Sequence, residues 1–330
     1  MITGVAGQDG AYLAKELLQY GYEVFGSVRS ETSSLTNLIT LGIDDRVRLV
    51  KLDIGRSEQF PSVLDEVRPD VIFNLAAISS LGLSEADREL TFQTNATGPI
   101  TLFQTAIETN GGVRLLQASS ALVIASDAAP PLEEFSPRQA DTFYGQAKHT
   151  VDQVLKAYRA KGIHASNAIL FNHESPLRQR HFVSQKIVSG LFDLANGSEA
   201  PIELGLFSDQ RDWSHASDFA VAMRLVTEAV AGDEYVFSSD RLHTVRDWIC
   251  LAGHALGFDV VVSGEGVSET AFCRRTGQLL AKVSTEFVRE GAEHVRLGNS
   301  QKLRRITGWK PAYSFERLVE DMVRAKIDGN

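Results

Sequence analysis

Cysteine is almost missing from this chain. Cys250 and Cys273 are the only two in 330 residues, without C-x-x-C spacing and without a histidine cluster between them. A disulfide framework and a zinc site are therefore not expected. Positive charge is also in short supply: 33 Lys and Arg stand against 42 Asp and Glu, a formal net charge of −9. General nucleic-acid binding needs a basic face, so no nucleic-acid partner is expected. An anionic ligand must then be held by local arginines rather than by the global field. No apolar run reaches the ~18 residues of a membrane span, and no charged-then-apolar leader precedes the first apolar residues. These absences predict a soluble cytoplasmic protein with no membrane partner. His164, His173, His215 and His243 lack metal-ligand spacing with acidic or sulfur partners, so no metal is expected. Internal repeats, low-complexity segments and clean linkers are missing too.

What is present is ordinary globular composition, 43% hydrophobic and 23% charged, at a length that suits one large or two ordinary domains. Strand-like apolar runs fall at 23–28, 47–52, 71–75, 114–119 and 165–171. Helical patterns lie between them at 60–67, 94–109 and 145–161. This alternation predicts a doubly wound α/β fold of Rossmann type with a parallel sheet. After Phe171 the rhythm breaks, with helix-like stretches at 216–231 and 245–256 and a glycine- and serine-rich patch at 263–268. The expected division is a dinucleotide-binding domain over 1–171, to which 207–236 returns, and a smaller interleaved α/β substrate domain over 172–330.

Gly4, Gly7 and Gly10 form G-x-x-G-x-x-G at the very start, between an apolar stub and a helical pattern. In that context glycines let the backbone approach a pyrophosphate, and a helix N-terminus points its N–H groups at the anion. A glycine-rich turn without a ligand is the blander reading. Only Met1-Ile2-Thr3 precede Gly4, fewer than the ~five residues of a usual strand, so a few residues are expected to be missing upstream. The second feature is Tyr144-Gly-Gln-Ala-Lys148. On a helix, positions i and i+4 share a face, so the ammonium stabilises the phenolate and lowers the tyrosine pKa from about 10. Such a tyrosine exchanges a proton with a sugar hydroxyl or ketone; alone, the same spacing is equally an ordinary surface pair.

Together these residues resemble the extended short-chain dehydrogenase/reductases, in the branch of the GDP-mannose 4,6-dehydratases within the NAD-dependent epimerase/dehydratase family. Gly4-Val-Ala-Gly-Gln-Asp-Gly10 is similar to that branch's glycine loop, and Leu170-Phe-Asn-His-Glu-Ser-Pro176 to its substrate-domain entry. Phe182-Val183, Lys186-Ile187, Arg211-Asp-Trp-Ser-His-Ala216, Cys273-Arg-Arg-Thr-Gly277 and Gly308-Trp-Lys-Pro311 extend the resemblance to about residue 325. The resemblance implies a cofactor site in which Gly4, Gly7, Gln8, Asp9 and Gly10 hold the pyrophosphate and Asp53-Ile54 flank the adenine. Arg29 would meet a 2′-phosphate, and no acidic residue occupies its position, so NADP is favoured over NAD. Leu75, Ala76, Ala77 and Ser79 would line the cofactor, joined by Tyr144, Lys148, Leu170, Asn172, His173 and Arg178. A GDP-linked sugar would be held by Ser79, Ser120, Asn172, Val183 and Lys186, with Arg211 and Arg289 on its phosphates. The helices at 94–109 and 145–161 correspond to that family's dimer surface, implying a homodimer or homotetramer.

The chain also departs from the pattern. The family's dehydratases carry S-T-S-E-x-Y-G after the fourth strand, their glutamate removing the C5 proton and returning a proton as water leaves C6. Here the segment is Ser119-Ser120-Ala121-Leu122-Val123-Ile124-Ala125. Ser120 replaces the threonine as a hydrogen-bonding partner, but Leu122 has no proton to give or take, a contribution of typically ~10²–10⁴-fold. Asp127, Glu133 and Glu134 lie in the following loop as possible substitutes. Leu177, Leu206 and Ala292 replace an arginine, an asparagine and a glutamate of the family. The expected activity is therefore NADP(H)-dependent reduction at C4 of a GDP-4-keto-6-deoxy sugar by Ser120, Tyr144 and Lys148. The alternatives are a GDP-mannose 4,6-dehydratase with a displaced base, a C4 epimerase, and a non-catalytic dinucleotide-binding protein.

Overall fold

The computed structural model describes residues 1–288 and 295–329. The chain folds as two units. The first comprises Met1–Phe171, Ala216–Phe237 and Gly298–Lys310; the second comprises Asn172–His215, Ser238–Leu297 and Pro311–Asn330.

The first unit is a seven-stranded parallel sheet flanked by helices. Its strands are β1 (Ile2–Thr3), β2 (Phe25–Val28), β3 (Arg48–Lys51), β4 (Val71–Asn74), β5 (Arg114–Ala118), β6 (Ala165–Leu170) and β10 (Glu234–Phe237). They lie in the order β10-β6-β5-β4-β1-β2-β3, so the chain reverses direction across the sheet between β1 and β4. In such sheets a crevice opens beyond the carboxyl ends of the strands at that reversal. The helices are α1 (Gln8–Gln19), α2 (Thr36–Thr40), α3 (Phe60–Val67), α4 (Leu81–Ala86), α5 (Arg88–Phe92), α6 (Gly98–Thr109), α7 (Phe143–Ala160), α9 (Ala216–Glu228) and α11 (Gln301–Thr307).

Helical apolar spacing explains the packing. Phe60 and Leu64 of α3, Leu102 and Phe103 of α6, and Val151 and Leu155 of α7 form one core with Ile72 and Leu115 of the sheet. Each such side chain, fully buried, contributes about 1.5–3 kcal/mol. Helix α1 buries Ala11, Leu13, Ala14 and Leu17. It ends at Gly21, whose φ of +80° suits the left-handed cap: Gly21 N donates to Leu18 O and Tyr22 N to Leu17 O. The expected helix at 94–109 begins earlier. A π-helical turn, Gln93–Thr97, joins α5 to α6.

The second unit holds two small sheets. One, ordered β11-β9-β7, joins β7 (Asn172–Glu174), β9 (Gln210–His215) and β11 (Leu242–Thr244); the other, ordered β12-β13-β14-β8, joins β8 (Ile202–Leu204), β12 (Val260–Ser263), β13 (Thr270–Cys273) and β14 (Leu279–Val283). Helices α8 (Val183–Ala195), α10 (Val245–Ala255) and α12 (Phe315–Ile327) complete it. Its core centres on Trp213, Trp248 and Phe315, with ring centroids 5.2–5.9 Å apart.

The return to the first unit, expected at 207–236, starts at Ala216. Residues 210–215 belong to the second unit because their backbone pairs with β7 on one side and β11 on the other. A further return, Gly298–Lys310, went unread in the sequence. It is fastened by the Leu132–Gly298 bridge, by Asn299 donating to Glu133 at 2.6 Å, and by Trp309 Nε1 donating to Asp218 O at 2.9 Å. Among the described residues no helix is long and apolar enough to cross a membrane.

Candidate active site

The glycine loop runs from β1 into α1. Gly4 has φ +70°, a left-handed conformation natural to glycine, and a Cβ there would sit 3.1 Å from the Ala76 backbone. Gly10 has no room at all: a Cβ would lie 2.4 Å from Gly4 O and 2.6 Å from Val5 Cα. Gly7 differs, since its Cβ would meet only Gly4 O at 3.3 Å. Gly7 is also the N-cap of α1, and no side chain caps that helix. A tight loop and an uncapped helix start form a cradle whose shape and dipole suit a pyrophosphate. The Asp9 carboxylate accepts from Gln8 Nε2 at 3.0 Å, so its negative charge is directed to the neighbouring amide.

A buried polar ladder crosses the strand ends beside this loop. Thr3 Oγ1 donates to Asn74 Oδ1 at 2.6 Å, and Asn74 Nδ2 donates to Gln117 Oε1 at 2.8 Å. Thr3 Oγ1 also accepts from the N–H groups of Leu75 and Ala76. Those bonds fix the start of the 75–79 segment beyond β4. Asn95 holds the next part from the π-helical turn, accepting from Ile78 N at 2.8 Å and donating to Ile78 O at 2.9 Å. Ala77 is partly buried and Ser79 exposed. Arg29 is exposed just past β2, beside hydroxyls of Ser30, Thr32 and Ser33 that bond to one another. After β3, Asp53 accepts from Gly55 N at 3.0 Å, and Ile54 is buried.

Tyr144 and Lys148 lie one turn apart on α7, with Lys148 Nζ 5.9 Å from the tyrosine ring centroid. The helix is started by Thr142, whose hydroxyl accepts from Gly145 N, and by Glu85 of α4, which accepts from Phe143 N at 2.9 Å. That bond and Arg88 hold the Glu85 carboxyl below its usual range. Lys148 is only 1% exposed, and its Nζ donates to Ala118 O at 2.8 Å, at the end of β5. Burial lowers its pKa to about 8, opposed by the nearby charge of Asp152. Ser120 follows two residues after Ala118; its Oγ accepts from Leu122 N at 3.2 Å, leaving its proton to donate elsewhere. Leu122 is partly buried, and its carbonyl faces Gly145, where a Cβ would come within 2.4 Å. Leu170, at the end of β6, is 8% exposed.

The first unit thus collects the loop glycines, the 75–79 segment, Ser120, Tyr144 and Lys148 at the carboxyl ends of its strands. The second unit carries the rest of the expected set. Asn172 is exposed on β7 and His173 buried beside it. Arg178 pairs with Glu174 at 3.1 Å and stacks over the Phe182 ring at 3.4 Å. Val183 begins α8; Lys186, one turn on, places its ammonium 3.6 Å from the Phe287 ring centroid. Arg211, on β9, donates to Gln210 O and lies 3.6 Å from Asp209. Leu177 is 9% exposed and Leu206 partly buried. Arg289 and Ala292 lie outside the described residues.

Two of the possible substitute bases are otherwise engaged. Glu133 accepts from Asn299, and Glu134 accepts from Val236 N at 2.8 Å while burial raises its pKa. Glu133 thereby fastens the 125–138 loop to the Asn299 side chain, and Glu134 fastens it to the backbone of β10. Asp127 is exposed in that loop. The sequence reading missed Ser119 and Asp152, which bond to each other at 3.1 Å in the interior. The available signal was spacing, since Asp152 follows Lys148 at i+4. Among the described residues, no group of three or more His, Cys, Asp and Glu is placed to hold a metal ion.

Comparison with known proteins fits this arrangement. The family described as GDP-mannose 4,6 dehydratase matches residues 1–322. The GDP-mannose 4,6 dehydratases of Cricetulus griseus and Homo sapiens are 32% and 31% identical over 339 residues, covering 99% of this chain and 91% of each relative. Among solved structures, a UDP-glucose 4-epimerase from Thermotoga maritima superposes with a TM-score of 0.83 at 20% identity, covering 99% of this chain and 98% of its own. The dTDP-glucose 4,6-dehydratase DesIV of Streptomyces venezuelae gives 0.81 at 24% identity, covering 99% and 96%. The fold is therefore that of the nucleotide-sugar epimerases and dehydratases, and the sequence match is closer still: this chain belongs to the GDP-mannose 4,6-dehydratase family.

Proposed function

We propose that this protein is an NADP(H)-dependent enzyme that reduces the C4 ketone of a GDP-linked 4-keto-6-deoxy sugar. One observation carries the reading. Tyr144 and a sealed Lys148 are built into α7, whereas Leu122 stands where a dehydratase of this family has its glutamate. The cradle of Gly4, Gly7 and Gly10 fits a dinucleotide pyrophosphate, with Gln8 and Asp9 contributing backbone N–H groups. Arg29, exposed beyond β2, suits a 2′-phosphate and so NADP over NAD. Asp53, Ile54, Leu75, Ala76, Ala77 and Ser79 complete the adenine and ribose side, and Leu170, Asn172, His173 and Arg178 the other end. A bound nicotinamide supplies the hydride.

The chain's own groups do the remainder. Tyr144 donates its phenolic proton to the C4 oxygen, and Lys148 stabilises the phenolate left behind. Ser120, with its oxygen occupied by Leu122 N, directs its proton to the same oxygen. The reduced sugar gains one hydride at C4 and one proton at O4, and no bond at C5 or C6 changes. Elimination needs a group that takes the C5 proton and protonates the hydroxyl departing from C6, and an isobutyl side chain does neither. Arg211 and Arg289 are assigned to the diphosphate, and Asn172, Val183 and Lys186 to the nucleotide and sugar. The resemblance assigns association as a homodimer or homotetramer to the 94–109 and 145–161 helices, and α5, which precedes the first of them, exposes Leu90 and Phe92.

The test is a substrate comparison. NADPH should be consumed stoichiometrically with a GDP-4-keto-6-deoxy sugar, with a GDP-6-deoxy sugar as product. GDP-mannose with catalytic NADP⁺ should give no 4-keto-6-deoxy product. Robust formation of that product from GDP-mannose would overturn the reading in favour of a dehydratase with a displaced base.

A further inference from the structure

One turn beyond Lys148 on α7 lies a buried carboxylate that the proposed reaction does not use. Asp152 sits on α7 at i+4 from Lys148 and is 3% exposed. Its Oδ2 accepts from Ser119 Oγ at 3.1 Å, while Oδ1 is buried without a hydrogen-bond partner. Ser119 lies between Ala118, whose carbonyl takes the Lys148 ammonium, and Ser120. The chain leaving β5 is thus tied to α7 at two successive residues, Ala118 and Ser119.

We propose that Asp152 is the positioning residue of this site: through Ser119 it fixes Ser120 against α7, and its charge keeps the sealed Lys148 protonated. A buried ammonium holding a single protein acceptor tends to lose its proton. Among the described residues, Asp152 is the charge that opposes this loss at Lys148. The groups around Asp152 are few. Burial lifts its carboxyl to about 7, so its charge acts on Lys148 from about pH 7 upward; Arg138 favours the anion, as does Ser119 at the end of β5, Glu234 of β10 opposes it, and Asn167 faces it from β6. Arg138 and Arg159 both pair with Glu234, at 3.1 and 2.6 Å, which weakens that opposition. His149, next to Lys148, is kept neutral-leaning by burial and by Arg138.

The inference rests on Tyr144 and Lys148 being the reacting pair, so its test includes a readout that needs no substrate. In protein labelled with ¹⁵N-lysine, the Lys148 Nζ resonance, assigned with Lys148→Arg, is titrated in wild type and in Asp152→Asn. The isosteric amide still accepts from Ser119 but carries no charge. Its Lys148 midpoint should fall by about one pH unit, the lower end of the effect of an adjacent charge. With the sugar substrate, the alkaline limb of kcat should move down by the same amount. Ser119→Ala removes the tether and keeps the charge; it should lower kcat on the order of 10-fold with the limb unmoved. Unchanged Lys148 midpoints in folded Asp152→Asn would overturn the proposal whatever the substrate proves to be. A shifted midpoint together with no activity on any 4-keto sugar would instead uphold the electrostatic link and reject the proposed reaction.

Discussion

The glycine loop after β1 and the 118–122 segment after β5 sit at the same edge of one sheet, yet they are built on opposite principles. The loop works through backbone: its tolerances are set by Gly4 against Ala76 and Gly10 against Val5, at 3.1 and 2.6 Å. The 118–122 segment works through side chains hung on a backbone that α7 clamps at Ala118 and Ser119. A substitution at Gly4 or Gly10 meets backbone and has nowhere to go. One at position 122 leaves the clamp intact, because the contact with Gly145 there is made by the Leu122 carbonyl. The loop frame is therefore hard to vary and position 122 easy to vary, which on the proposed reading is how a leucine comes to stand at the acid/base position.

That contrast predicts a graded series of effects. The largest falls on side-chain chemistry. Tyr144→Phe should lower kcat by about 10²–10⁴-fold, the usual worth of a positioned acid/base, with dinucleotide affinity by calorimetry changed far less than kcat. Next comes Gly10→Ala, whose methyl collides with backbone. We expect a loss of about 1–3 kcal/mol in denaturant unfolding, accompanied by weaker dinucleotide binding. Gly7→Ala is the control within the same loop. Its methyl meets only Gly4 O at 3.3 Å, so stability should hold while affinity falls. Equal destabilisation by both substitutions would erase the distinction between cradle and contact.

A smaller effect concerns pH. Asp152 has its carboxyl pKa raised to about 7 by burial, from 3.8. The folded state then holds a proton that the unfolded chain has already released. Stability from this group is present below about pH 4 and lost as pH rises to about 7. Wild type minus Asp152→Asn, compared by thermal unfolding, should therefore decline across that window. Lys148, lowered from 10.5 to about 8, acts the other way above that range, where the folded lysine has shed a proton the unfolded chain keeps. A flat difference between pH 4 and 7 would mean that Asp152 is charged throughout.

Much of the first unit was legible in sequence because parallel strands buried on both faces read as apolar runs. Val71–Asn74 and Ala165–Leu170 are examples, and both fall within one residue of their expected limits. The second unit was not. Strands of three or four residues, such as Asn172–Glu174 and Leu242–Thr244, are too short to show a period, and α8 among them and α12 after them went unread. The return of Gly298–Lys310 depends on single long-range bonds such as Trp309 to Asp218, which no local pattern encodes. At the site, the glycines and the Tyr144–Lys148 spacing were readable as motifs. The clamp was not, since a serine and an aspartate are common and only the fold makes Ser119 and Asp152 partners.

The central claim is that Leu122 leaves C5 untouched. It is tested most directly by incubating the protein with GDP-mannose and NADP⁺ in D₂O and reading the C5 position by NMR, since a dehydration returns a solvent proton to C5 while C6 receives the hydride from C4. The account predicts no deuterium at C5 and no 6-deoxy product in wild type, with both emerging only in Leu122→Glu. Deuterium at C5 in the wild-type reaction would contradict it.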